Sequence, residues 1–327
     1  MNPFQYTRSA AAAGAIQSVL KEPHAHFLAG GTNLVDLMKM GVVLPERLVD
    51  INGLPLKGIE KTPTGLRIGA LATNSAVADH PLVLEGYPLL SLAINAGASP
   101  QLRNMATVGG NMMQRTRCNY FFDTAMPCNK RVPGSGCGAL TGINRMHALF
   151  GASDQCIAVN PSDMNVAMMA LDAVVHVRGP NGERKIKFAD FHRLPGDHPE
   201  KDNTLERGEL ITAVDLPAAA MAFNKHVYYL KIRDRSSYAF ALVSVAAALN
   251  MIGSTITDAR LAMGGVAHKP WRLQDAETFL KGKTADEDTF KQAAAIAMKG
   301  AKAYKYNQFK LTLAPNAIVQ ALKTASA

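Results

Sequence analysis

The chain has 327 residues, 48% of them hydrophobic and 19% charged, which is enough for two domains or more with ordinary cores. Its 35 basic and 26 acidic side chains leave a net charge of +9, which suits anionic ligands or acidic partner surfaces. Nucleic acid is not the expected partner, because the basic residues are scattered and only 6% of residues are aromatic, so no stacking platform forms.

The N-terminus, Met1 to Tyr6, carries no basic region followed by an apolar core, so no signal peptide is expected. No apolar run approaches the ~18 residues that a membrane span needs. A periplasmic location would require co-export with a signal-bearing partner, and the other expected location is the cytoplasm.

In chain order, residues 8–21 predict an alanine-rich helix with Ser9 as its cap. His26 to Leu28 predicts a strand, Leu34 to Met40 a helical turn ended by Gly41, and Arg47 to Ile51 a second strand. This alternation makes residues 1–55 a small α/β lobe. A second lobe begins near Leu56, with a strand over Gly65 to Ala70 and helices over Thr73 to Asp79 and Tyr87 to Ala98. Later come a methionine- and alanine-rich helix, strands over Ala173 to Val177 and Leu210 to Leu216, and a boundary at Pro217 to Ala222. Beyond it, strands are expected over 227–232, 239–249 and 256–263, then helices near 272–281, 286–301 and 314–324. Strands followed by helices indicate an α+β C-terminal domain over 223–327.

Two diglycine turns stand out, Ala29-Gly30-Gly31-Thr32-Asn33 and Thr107-Val108-Gly109-Gly110-Asn111. Glycine lets backbone N–H groups approach a bulky anion, and successive N–H groups in a turn form a concave anion site. Two such turns suit a pyrophosphate held from two sides. No Ser-His-Asp or paired-carboxylate constellation stands out, so no catalytic residue is assigned to this chain. A nicotinamide fingerprint after a strand is also missing.

All four cysteines, Cys118, Cys128, Cys137 and Cys156, fall within 39 residues with spacing C-x9-C-x8-C-x18-C. That is neither a zinc-ribbon pattern nor the tight ferredoxin run. Disulfides, unrelated buried thiols and structural zinc are open readings beside an iron–sulfur cluster. The surroundings favour the cluster: Pro127-Cys128, Pro133 to Gly138 and Gly151 to Ser153 supply turns whose N–H groups can face sulfur. From Gln101 to Ile157 six basic residues stand against two acids, an excess that offsets an anionic centre.

With these features together, the chain resembles the FAD-binding medium subunits of the molybdenum hydroxylase (xanthine dehydrogenase) family. The likeness rests on Leu28 to Leu34, Gln101 to Asn111, Pro161-Ser162-Asp163, Gly208 to Ile211 and Tyr229 to Arg233. It implies an α+β architecture: a two-lobed FAD-binding domain of the PCMH type over 1–222, then a C-terminal flavoprotein domain. The segments Arg115 to Cys118, Pro127 to Arg131, Pro133 to Cys137 and Gln155 to Ala158 are similar to the bacterial aldehyde oxidoreductase branch, whose FAD subunit carries an extra 4Fe–4S cluster. In that likeness 112–157 is the iron–sulfur insert and all four cysteines are ligands.

The resemblance further implies roles for individual residues. Leu28, Ala29, Gly30, Gly31, Thr32, Asn33, Leu34, Thr107, Gly110 and Asn111 would hold FAD, Asp163 would bond its hydroxyls, and Leu210 and Ile211 would pack near its rings. Lys231 would sit by the isoalloxazine and stabilise negative charge. The expected partners are a small 2Fe–2S subunit and a large molybdopterin subunit in a heterotrimer, with an external electron acceptor. Rival readings are a FAD subunit of the xanthine or hydroxybenzoyl-CoA type, a self-contained FAD oxidase with structural cysteines, and a zinc-stabilised nucleotide scaffold.

Overall fold

The computed structural model describes all 327 residues. Its first sheet joins β1 (Gln5–Arg8), β2 (Ala25–Leu28) and β3 (Arg47–Asp50) in the order β1-β3-β2, with both pairings parallel. Parallel neighbours need crossover connections, and the helix Ala12–Lys21 supplies one, burying Ala15, Ile16 and Val19 against Ala25 and Val49. The helix starts later than the sequence suggests, because the chain through Arg8 pairs with β3. Ala11 occupies the N-cap without a side-chain bond, and the Ser9 hydroxyl donates to the Ala11 carbonyl instead of capping.

The second sheet is antiparallel. It comprises β4 (Ile59–Thr62), β5 (Gly65–Gly69), β6 (Val174–Gly179), β7 (Gly182–Lys187) and β8 (Leu210–Pro217), in the order β4-β5-β8-β6-β7. Helices Pro88–Ala96 and Asp163–Ala170 share its core. Every residue of the Asp163–Ala170 helix is buried, as befits an element enclosed on all sides by apolar neighbours.

The third sheet holds β9 (His226–Ile232), β10 (Val243–Ile252), β11 (Thr255–Gly264) and β12 (Trp271–Arg272), also antiparallel. Side chains alternate faces along a strand, and both faces of β10 are covered. Val243, Val245, Ala247 and Leu249 pack with helices Gln274–Leu280, Glu287–Ala297 and Lys310–Ala325. Ala246 and Ala248 join the core of the preceding domain. The strand expected from residue 239 begins at Val243, and residues 239–241 form a loop. The last helix begins at Lys310, ahead of its expected start, and runs through Pro315. No helix is long and apolar enough to cross a membrane.

Between residues 112 and 157 regular structure nearly vanishes, leaving the single turns Asn119–Phe122 and Gly138–Thr141 after the helix that ends at Met112. Polar ties replace a core there. Lys130 and Arg115 both pair with Asp202, and Arg131 donates to the carbonyls of Tyr120 and Phe121.

Lys310 is fully buried, and its amine donates to the carbonyls of His147 at 3.0 Å and Gly265 at 2.8 Å. Burial lowers its pKa from the ordinary 10.5 to about 7, helped by the nearby Arg145 charge. The unfolded lysine therefore holds a proton that the folded one has released between pH 7 and 10.5, and stability from this site rises with pH across that window. We expect the thermal midpoint of the protein to gain more between pH 7 and pH 9.5 than that of Lys310→Met. Equal pH responses, measured by calorimetry, would show that Lys310 is charged in the fold.

Candidate functional site

The first diglycine joins β2 to the helix Leu34–Lys39. Gly31 has φ +72°, a left-handed conformation open to glycine. Gly30 is required for a different reason: a Cβ there would stand 1.9 Å from the Met105 carbonyl oxygen. Its missing side chain lets the first loop touch the segment just before the second. The second diglycine lies in the short helix Val108–Met112, where the Thr107 hydroxyl accepts from the Gly110 N–H at 3.2 Å. Gly109 packs on Ala70, where an added Cβ would meet atoms at 3.2 Å.

These loops border a cavity of about 680 Å³ between the two domains, within the ~300–1,000 Å³ range of ligand pockets. Thr32, Asn33, Gly110 and Asn111 line it from the loops, Ser162 and Asp163 from the floor, and Lys231, Ser244 and Gly265 from the C-terminal domain. Leu28, Ala29, Gly30, Gly31, Leu34 and Thr107 do not line it. Leu210 and Ile211 do not reach it, since alternation along β8 sends them into two separate hydrophobic cores.

Among the buried polar atoms on the wall that have no partner in the protein are Asn33 Nδ2 and Asn74 Oδ1. Buried polar groups left unpaired cost ~1–3 kcal/mol each, so a donor and an acceptor here fit a polar ligand. Asn33 Oδ1 is used internally, accepting from the Arg115 N–H at 3.0 Å. Asn111 Oδ1 likewise accepts from the Ser162 hydroxyl at 2.7 Å.

Lys231 is buried rather than solvent-facing, and its amine is 2.7 Å from Asp163 Oδ2 and 3.0 Å from the Ala96 carbonyl. The Tyr229 hydroxyl donates to Asp163 Oδ1 at 2.8 Å and lies 3.0 Å from Ser244 Oγ. Burial first, and the Asp163 charge second, raise the Tyr229 pKa well above its usual value. Lys231 therefore does not present an uncompensated cation to the cavity. Asp163 spends both oxygens on the C-terminal domain.

The four cysteines line one small cavity, and Cys118 also lines the large one. Cys118 and Cys137 each occupy the position just before a single helical turn. Burial raises the Cys118 thiol to about 11, opposed by the backbone N–H groups of Phe121 and Tyr120. The nearby Cys137 and Cys156 thiols act on each other, which lowers Cys137 to about 6 and, with burial, raises Cys156. No three of these side chains, or of nearby His, Asp and Glu, are gathered as ligands of a single ion. Sulfurs around a four-iron cluster stand farther apart than those around one ion, because each binds a different iron.

Several cavity residues escape sequence inspection, among them Asn74, Thr116, His147, Tyr238 and Phe240. Arg117, visible as part of the basic excess, pairs with Asp36 at 2.8 Å and stacks over Phe240 at 5.0 Å. The others lack a local signature.

Removing one member of a buried ion pair costs ~3–5 kcal/mol. Lys231→Met should lower stability by an amount of that order, and adding Asp163→Asn should restore part of the loss. Denaturant unfolding of the two variants checks this; an unchanged midpoint in the single variant would refute the pairing.

Residues 2–219 match the family described as the FAD binding domain in molybdopterin dehydrogenase, and residues 228–325 match the CO dehydrogenase flavoprotein C-terminal domain. The chain is 50% identical to the aldehyde oxidoreductase FAD-binding subunit PaoB of Escherichia coli, covering 100% of this chain and 99% of that one. It is 28% identical to the glyceraldehyde dehydrogenase medium chain of Sulfolobus acidocaldarius, over 89% of this chain and 86% of the relative. Among solved structures, quinoline 2-oxidoreductase from Pseudomonas putida superposes with a TM-score of 0.77 at 25% identity, over 99% of this chain and 97% of that one. These matches run over nearly the whole chain, and the chain belongs to the FAD-binding medium subunits of the molybdenum hydroxylase family.

Proposed function

We propose that this chain is the electron-transfer subunit of a heterotrimeric, molybdenum-dependent aldehyde oxidoreductase, and that it carries both FAD and a 4Fe–4S cluster. One structural observation supports the pairing of cofactors: Cys118 belongs to the walls of both cavities. The end-to-end half identity to an aldehyde oxidoreductase FAD subunit supports the substrate class.

In this reading residues 1–222 form the FAD-binding domain and 223–327 the C-terminal flavoprotein domain. Thr32, Asn33, Gly110 and Asn111 contact FAD, and the free Asn33 Nδ2 and Asn74 Oδ1 offer it a donor and an acceptor. Leu28 to Gly31, Leu34 and Thr107 set the loop shapes, while Leu210 and Ile211 act from the cores behind. Lys231 and Asp163 form a neutral pair at the cavity wall, so neither charge dominates a ligand held beside them. Cys118, Cys128, Cys137 and Cys156 ligate the cluster.

When bound, FAD supplies a two-electron carrier and the cluster a one-electron carrier. The residues of this chain bind, orient and shield them. Oxidation of the aldehyde to a carboxylic acid belongs to the molybdopterin site of a separate large subunit. A small subunit with 2Fe–2S centres delivers electrons to this chain, which hands them to an external acceptor. The complex is either exported to the periplasm with a signal-bearing partner or held in the cytoplasm.

Gly110→Val places two methyl groups where an added Cβ already meets Thr107 Oγ1 at 3.0 Å and where the cavity opens. The purified complex should then retain several-fold less FAD per protein, read from its absorbance after denaturation. A full complement of FAD would refute the cavity assignment.

Cys128→Ser should deplete iron at this subunit and remove or convert one EPR signal of the reduced complex. Aldehyde-dependent reduction of the 2Fe–2S centres should persist, because that chemistry lies elsewhere. Zinc in place of iron, or a disulfide among the four cysteines, would contradict the assignment.

A further inference from the structure

Cys118 has a neighbour that bears on its electronics. His147 Nε2 lies 3.1 Å from Cys118 Sγ. The imidazole is buried, its Nδ1 has no partner, and its ring packs at a tilt on Tyr120 with centroids 6.5 Å apart. Its backbone is fixed from the C-terminal domain: the His147 carbonyl accepts from Lys310 Nζ at 3.0 Å and from Asn307 Nδ2 at 3.1 Å. Asn144 extends the tie, accepting from the Tyr306 N–H at 2.9 Å while its carbonyl receives the His147 N–H at 3.1 Å. The ring is thus set against the sulfur by groups that are themselves buried. His147 and Cys118 both line the large cavity, and Cys118 alone of the four cysteines does so.

We propose that His147 is a positioning residue for the iron–sulfur centre, donating its Nε2–H to Cys118 Sγ and raising the centre's reduction potential. The inference rests on the reading that the four cysteines bind a 4Fe–4S cluster. A thiolate ligand has no proton to give, so a hydrogen bond at this contact requires the proton on Nε2 and fixes the tautomer. The donor draws electron density from sulfur and favours the more negative, reduced state of the centre. Because Cys118 is the ligand on the shared wall, the bond acts at the side of the centre that faces the large cavity.

The test uses the complete heterotrimer and EPR-monitored redox titration of the cluster in the parent, His147→Phe and His147→Gln. Phenylalanine keeps the ring and loses the donor; glutamine restores an N–H donor on a shorter side chain. At the parent's midpoint, the ratio of reduced to oxidised cluster should fall about tenfold in His147→Phe, which is about 59 mV for a one-electron couple. It should recover substantially in His147→Gln, with the FAD midpoint unchanged in both. An unmoved ratio with the cluster intact overturns the proposal, as does an equal fall in both variants, which would assign His147 a packing role only. If His147→Phe fails to assemble, ENDOR on the unsubstituted complex labelled with ¹⁵N-histidine decides. A weakly coupled imidazole nitrogen and an exchangeable proton at the reduced cluster support the bond, and their absence overturns it. Absence of iron at this subunit in the unsubstituted complex would overturn the cluster reading itself, so the two failures are distinct.

Discussion

A buried carboxylate joins the two halves of this protein. Asp163 starts a helix buried on every side, and its two oxygens take a proton donor from Tyr229 and an ion pair from Lys231, both on β9. Two charges removed from water repay their desolvation only when geometry and further hydrogen bonds are good. Here the Ala96 carbonyl and Ser244 hydroxyl complete the set. The arrangement fixes the C-terminal sheet over the cavity that the loops open. It also pairs Lys231 off, so that lysine does not face the cavity as a lone cation.

The cysteine segment follows a different logic. Its own hydrophobic cluster contains only three buried residues, Leu37, Phe121 and Cys128, far too few to order 40-odd residues of irregular chain against ~1–2 kcal/mol of backbone entropy per residue. Charged and amide contacts to distant segments make up part of the difference. Lys130 and Arg115 converge on Asp202, Asn129 donates to Gln155 at 2.9 Å, and Asn307 with Lys310 holds the carbonyl of His147. A metal cluster bound by four thiolates would add the remaining cross-links in the same place. Such coupling of ligand binding to local order is general for metal sites that lack a core of their own.

The motifs behind the proposed function are legible in the sequence because their chemistry is local. Glycine pairs after apolar runs, four clustered cysteines and the strand–helix order of the C-terminal domain need no distant partner to be recognised. What escaped notice depends on residues far apart in the chain. Gly30 reads as clearance for an anion, yet the atom that demands glycine is the carbonyl of Met105. Lys231 reads as a free cation, but Asp163 stands 68 residues away in sequence and beside it in space. The alanines of β10 give no sign that both faces are covered, because small residues suit either a core or a surface. Leu210 and Ile211 follow a glycine-led turn that resembles a ligand loop, yet they open β8, whose alternation directs them into two cores.

In the proposed function an iron–sulfur centre and FAD are neighbours in this one chain, separated by the wall to which Cys118 contributes. Anomalous scattering at the iron edge, from crystals of the intact complex, locates iron without assumption about ligands. The expected result is a four-iron peak inside the cavity bounded by Cys118, Cys128, Cys137 and Cys156, with flavin density in the adjoining cavity beyond Cys118. A lone zinc peak at the cysteines, or iron confined to the other subunits, would contradict it.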